Sequence, residues 1–447
     1  MVWPRPTRRL VRLLAVGGFF AVLGLAQAPW LWAAVGLDLL LVAAFWVDRR
    51  GLPRAADLEV ERRLEPRLSH GVPVEVQVVL RSQVAGEAEL IDEPPPLLLG
   101  PERLELALPV VLRAGAWNQV SYGVRPRRRG LHPFGPVNLW FKGPLGLAQT
   151  HLVLWPSGTQ VVHVYPDLGP IDHGALDPNL LIQELGLKRV RQRAEGTEFE
   201  SLRDAVPEDD QRRIDWRATA RRGRPIARNY EVERNHEILL CLDTGRLMGT
   251  VEELDRDQVH RTKLDRAIQA ALRLSAVALR NGDRVGLFAF DDRVLAHLRP
   301  ERDRAQLGRL LEALHQLEPS GHDASYPWAL GELRQRQKKR ALLVFFSDVV
   351  DAEASAPVGE VISVLARRHR VVFAALRDPY LDLAQRAEVR SALDAQRGLA
   401  ALSLAESRAV LLEGLKAQGV EALDTLPEAV TARAISAYLR LRAEGRL

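Results

Sequence analysis

The chain has 447 residues, 47% hydrophobic and 27% charged, a composition that supplies more than one buried core and excludes disorder for its bulk. Its 62 basic and 57 acidic residues leave a net charge of +5, too small an imbalance to point to nucleic acid. The lone cysteine, Cys241, excludes an internal disulfide and a cysteine-based zinc site and fits a reducing compartment; in "ILLCLD" it reads as a buried structural thiol.

From Leu13 to Val47 the only charged residue is Asp38. That run accommodates two short membrane spans turning around Gln27 to Pro29, each near the lower limit of about 17 residues. Trp30 and Trp32 fall where interfacial aromatics belong, and Asp38 reads as a polar residue near the interface. Arg5, Arg8, Arg9 and Arg12 precede the first span and Arg49, Arg50 and Arg54 follow the second, which holds both ends in the cytoplasm. "AQA" at Ala26–Ala28 resembles a signal-peptide cleavage site, but the second apolar run would still halt transfer.

Between Asp57 and Val164, short alternating stretches such as "VPVEVQVVLRS" and "PVNLWFKG", separated by Gly, Pro and Asn, predict an antiparallel β-sandwich. "RPRRRGLHPFGP" reads as a solvated loop. Pro166 to Pro178 reads as a linker, and Leu180 to Ala194 as a basic amphipathic helix.

"PEDDQRRIDWRATARRGRP", Pro207 to Pro225, has neither helical nor strand periodicity. Glu208, Asp209 and Asp210 form one block, and Arg212, Arg213, Arg217, Arg221, Arg222 and Arg224 another, interrupted by Asp215. Opposed blocks suit a clasp in which Asp209, Asp210 and Asp215 pair with the arginines and Trp216 is an apolar pin; a partner-binding site is the competing reading. Acids intrude throughout and aromatics are few, which argues against a nucleic-acid groove.

After Asn235, strands and helices alternate. "EILLCLD", "RVGLFAFDD", "ALLVFFSD" and "RVVFAAL" are continuous apolar strands, and Thr262 and Asp265 form a capping box at the start of a long helix closing at Asn281 and Gly282. Further helices are expected at "RAQLGRLLEALHQL", at "YPWALGELRQRQKKR", near Val358–His369, near Ser403–Gln418 and from Pro427 to Arg442. This is a mostly parallel, helix-covered α/β sheet of Rossmann-like type. The chain is thus multidomain: an N-terminal transmembrane hairpin over residues 1–51, a sandwich over 52–165, a linker and charged segment over 166–234, and an α/β domain over 235–447.

Ligands of open parallel sheets sit at the carboxyl ends of the strands, where two strands here end in Asp243 and Asp348, a plausible pair for a hard cation. No histidine among His236, His260, His297, His315 and His322 has metal-ligand spacing, and neither a nucleophile elbow nor a phosphate loop occurs.

"LCLDTGRLM", "GDRVGLFAFDD" and "LLVFFSD", in that order, resemble a von Willebrand factor A-like domain, and "EGTEFESLRDAVPEDDQRRIDWRATARRGRP" resembles the signature of the bacterial domain-of-unknown-function family 58. The resemblance implies a two-span anchor in the bacterial inner membrane, soluble domains in the cytoplasm, no established reaction, and pairing with AAA+ ATPases of the MoxR class. It also implies that Asp243 and Asp348 are the carboxylates of a metal-ion-dependent adhesion motif holding Mg²⁺ or Mn²⁺. Gly245 and Leu247 stand where that motif requires hydroxyls, and the threonine expected before "YPWAL" is replaced, so the motif is degenerate. The expected function is that of a non-catalytic scaffold; the alternative is a metal-assisted hydrolase using Asp243, Asp348 and Asp351.

Overall fold

The computed structural model of the chain describes residues 4–25, 28–98, 107–167, 198–206, 214–231, 235–251, 259–348 and 356–447. It divides into two compact units, Met1–Tyr165 with Arg256–Val259, and Pro166–Asp255 with His260–Leu447. The linker and amphipathic helix expected across 168–197 lie outside the described residues.

In the first unit, helix Arg8–Gly24 packs on helix Ala28–Arg50, with Phe20 stacked on Trp30 at 5.6 Å between ring centroids. Among the described residues, Pro29–Arg50 is the one segment long and apolar enough to cross a membrane, with a mean hydropathy of 1.9. Asp38 lies near the middle of that helix, and its carboxylate abuts Gly17, where a Cβ would collide with it.

Both helices are fastened to one β-turn. The Asp48 carboxylate accepts the backbone N–H groups of Leu145, Leu147 and Ala148 at 2.6, 2.7 and 2.7 Å. From the other helix, Thr7 Oγ1 donates to Gly146 O at 2.7 Å and Thr7 N to Leu147 O at 2.9 Å. Leu147 is buried with Leu10 and Leu41. Gly143 is required there because an added Cβ would meet Asp48 Oδ1 at 2.5 Å.

The strands of this unit form sheets of five, four and three strands. Strand Val137–Lys142 shows how alternation builds them: Val137, Leu139 and Phe141 are buried and the residues between are half-exposed. They join Val78, Leu80 and Leu90 in a single core to which the five-, four- and three-stranded sheets all contribute. Pairing is mostly antiparallel, but Ser157–Gly158 runs parallel to Glu61–Arg62, and His163–Tyr165 parallel to Arg67–Ser69.

In the second unit the charged segment is more regular than its sequence predicts. Glu198–Asp204 and Ile226–Glu231 pair antiparallel, and Trp216–Arg222 is a short helix between them. Asp215 caps that helix by accepting Arg217 N and Ala218 N at 3.0 Å, and Gly223, at φ 69°, ends it in the left-handed region.

The main sheet has six strands in the order Val294–Glu301, Arg284–Phe290, Glu237–Asp243, Leu342–Ser347, Arg370–Leu376 and Glu421–Thr425. All pair parallel except the first, an antiparallel edge strand that "DRVLAHLRPE" conceals because its apolar residues are sparse and none is fully buried. Each continuous apolar strand feeds two cores. Ile238, Leu240 and Leu242 face one layer, with the helices Lys263–Arg280 and Val430–Ala443, while Leu239 and Cys241 face the other. Cys241 is fully buried, which pushes its thiol pKa well up. Helix Pro379–Arg386 was not expected, and the helix placed near Ser403 begins earlier, at Ala392. The last helix lies on its own sheet, with Tyr438 Oη donating to Asp283 at 2.7 Å.

Candidate functional site at the carboxyl edge of the parallel sheet

Chain order reverses at Glu237–Asp243: the next strand lies on one side of it and Leu342–Ser347 on the other. A crevice outside the carboxyl ends of the strands is opened by that reversal. Asp243 and Asp348 stand there, and Ser347 Oγ donates to Asp243 Oδ2 at 2.7 Å, which joins the two strand ends directly.

The two carboxylates have different partners. Asp243 is 6% exposed and accepts from Gly245 N at 2.7 Å, Ser347 Oγ at 2.7 Å and Tyr326 Oη at 3.0 Å. Asp348 has a side chain 1% exposed and accepts from Lys263 Nζ at 2.6 Å and from Arg408 Nη1 at 2.9 Å. Lys263 reaches Asp378 at 3.2 Å, and Arg408 Nε reaches Asp424 at 3.0 Å. A small cavity with room for about one water lies against Asp348, Asp378, Asp382, Arg377 and Arg408.

Tyr326, Ser347, Lys263 and Arg408 were missed in the sequence. Ser347 adjoins Asp348 and could have been found by that position. Lys263 and Arg408 leave no signal, because a lone cation on a helix ordinarily faces water.

Burial raises the Asp243 carboxyl to about 6, against the lowering effect of its three hydrogen bonds; the charge of Asp348 raises it further. The folded state therefore binds this proton more tightly than the unfolded chain. The stability it contributes is complete below about pH 4 and is lost as pH rises through about 6. Asp243→Asn removes the titration, so the stability difference between variant and wild type should shift toward the variant by up to about 3 kcal/mol between acid and neutral pH. Chemical denaturation of both proteins across that range checks this; a flat difference would show Asp243 ionised at an ordinary value.

The loops around Asp243 are knitted by backbone bonds, Ser320 N to Thr244 O at 2.7 Å, Arg246 N to His322 O at 2.8 Å and Ser325 N to Asp291 O at 2.9 Å. A Cβ on Gly245 would lie 2.9 Å from Ala324 N and 3.0 Å from Asp243 Oδ1. The place of the first motif hydroxyl is thus filled by main chain. Mg²⁺ requires six oxygens at about 2.0–2.1 Å in near-octahedral array. These residues do not fit such an ion: Leu247 brings hydrocarbon, and Asp348 is already neutralised by two side-chain cations. Among the described residues no group of three or more His, Cys, Asp or Glu could hold a metal.

The charged segment gives a different result. Asp209, Asp210, Arg212 and Arg213 lie outside the described residues, as does Asp351. Arg221 is exposed, and Asp215 caps the short helix. Trp216 is not an apolar pin: as the residue after the cap it is 66% exposed, and the buried apolar contacts come from Ile226 and Ala227 instead. Arg224 pairs with Asp204 at 2.9 Å, an exposed contact that contributes about 0–1 kcal/mol.

Residues 201–384 match the family described as protein of unknown function DUF58. The chain carries a DUF58 region. It contains Asp243, Lys263, Tyr326 and Asp348 and stops short of Arg408. Uncharacterized proteins of Mycobacterium bovis and Mycobacterium tuberculosis are each 25% identical over 188 residues, 41% of this chain and 56% of their own length, so the chain spans about half the length of these relatives. The conserved hypothetical protein BatB of Bacteroides thetaiotaomicron is similar with a TM-score of 0.33 and 15% identity, covering 46% of this chain and 98% of its own. The SpRpn10 VWA domain gives 0.26 and 13%, covering 44% and 93%. An uncharacterized membrane spanning protein of Vibrio fischeri gives 0.19 and 13%, covering 47% and 99%.

Proposed function

We propose that this chain is a membrane-anchored, non-catalytic interaction protein whose A-type DUF58 region docks a cytoplasmic protein partner at the carboxyl edge of its sheet. The observation that carries the proposal is the finish of that edge. Its buried Asp348 is paired with Lys263 and Arg408, its loops are cross-linked by main-chain bonds, and its exposed groups include Arg246, His322, Asp323 and Trp328. A prepaid, rigid surface with an exposed tryptophan and arginine suits recognition, since such residues dominate binding energy. The two N-terminal helices serve as a hairpin anchor with both ends at the inner leaflet, as their flanking arginines favour.

The resemblance to family 58 proteins supports an AAA+ ATPase of the MoxR class as that partner. Intact protein in lipid nanodiscs is expected to bind a purified MoxR-class ATPase. Arg246→Glu and Trp328→Ala should each weaken binding by about tenfold or more with unchanged melting temperature. Absence of binding by the intact, folded protein would retire the proposal.

A further inference from the structure

We propose that the ammonium of Lys263 is a built-in cation that replaces a divalent ion at the carboxyl edge, so that this edge is assembled without metal. Lys263 is 1% exposed and occupies the first position of helix Lys263–Arg280, directly after the Thr262 cap. A positive charge is unfavourable there, because the helix dipole already places partial positive charge at its N-terminus. Burying a lysine in that position also costs desolvation. The side chain is retained in this doubly unfavourable place by two carboxylates from two strand ends, Asp348 at 2.6 Å and Asp378 at 3.2 Å.

Those carboxylates are arranged as ligands around a cation, and the chain supplies it. Arg408 adds a second positive charge on the other oxygen of Asp348 at 2.9 Å, and its Nε extends the network to Asp424. Strand end, helix start and the Ala392–Ala417 helix are thereby joined through one charge. The neighbouring main chain agrees, since Ala324 fills the space beside Gly245 that an ion-liganding serine would need. A lysine cannot be chelated, so the fold of the edge carries no divalent-ion dependence. This inference concerns ion binding and folding alone and stands or falls separately from the partner assigned above.

The test uses the full chain in detergent micelles, with melting followed by intrinsic fluorescence and Mn²⁺ uptake by electron paramagnetic resonance. Wild-type protein should melt at the same temperature in EDTA and in millimolar Mn²⁺. Lys263→Ser, which vacates the ammonium between two carboxylates, should melt lower and recover part of the loss as Mn²⁺ is added, a recovery absent from the Lys263→Ser, Asp348→Asn double variant. Saturable Mn²⁺ uptake by wild type that vanishes in Asp348→Asn would overturn the proposal, and so would a Lys263→Ser protein as stable as wild type. Should Lys263→Ser fail to fold, the wild-type uptake measurement decides alone: no saturable uptake upholds the proposal, and uptake lost in Asp348→Asn ends it.

Discussion

Replacing Asp48 by alanine is expected to cost about 3–6 kcal/mol and to loosen the two N-terminal helices from the β-turn they grip. The Asp48 side chain is buried and accepts three backbone N–H groups, so truncation strands three donors, each worth about 1–3 kcal/mol when left unsatisfied. Water entering the vacated space brings the sum toward the lower end. Asp48→Asn keeps one acceptor oxygen and should fall between wild type and alanine. Limited proteolysis of the intact protein should show new cleavage within 143–148 in Asp48→Ala, accompanied by a lower melting temperature. A loss of under about 1 kcal/mol would mean that the turn holds the helices through Thr7 and Leu147 instead.

The second large effect is expected inside the β-unit. Arg62 is 1% exposed; its guanidinium pairs with Asp92 and donates to Gly135 O at 2.9 Å while lying over the Phe134 ring at 4.5 Å. Tyr122 Oη donates to the same carboxylate at 2.6 Å, and burial pushes its phenol pKa up. Arg62 belongs to the four-stranded sheet and Asp92 to the five-stranded one, so the pair bridges them. Asp92→Ala leaves a buried guanidinium without its counter-charge and is expected to cost about 3–5 kcal/mol. Arg62→Met with Asp92→Leu and Tyr122→Phe should recover most of that loss, because apolar groups of similar volume need no partner. Urea unfolding of the two proteins measures both figures. Equal destabilisation in the single and triple variants would show that shape, not charge, is at stake.

How much of this was legible depends on what each residue does. Continuous runs such as "EILLCLD" and "ALLVFFSD" declare buried parallel strands, because a strand covered on both faces has no polar side to show. The capping box at Thr262 and Asp265 marked its helix start correctly. Strand Val294–Glu301 was hidden because an edge strand needs little apolar content, and the helix Trp216–Arg222 because seven residues cannot display a period. The positions of Asp243 and Asp348 followed from strand ends and topology. Their partners did not: Lys263 and Arg408 are 85 and 60 residues from Asp348 in sequence, and nothing local distinguishes a buried cation from a solvated one. Asp48 was concealed in the same way, as an ordinary acid beside Arg49 and Arg50 until the turn bonded to it is in view.

Site-specific photo-crosslinking tests the docking assignment most directly. A photoreactive amino acid placed at Arg246, on the carboxyl edge, is to be compared with one at Arg284, where a strand begins at the opposite edge, each in the whole chain reconstituted in lipid nanodiscs. With a MoxR-class ATPase added as the proposed partner, a covalent adduct from position 246 and none from 284 is the expected result. An adduct from 284 alone, or from neither position in folded protein, would contradict the account.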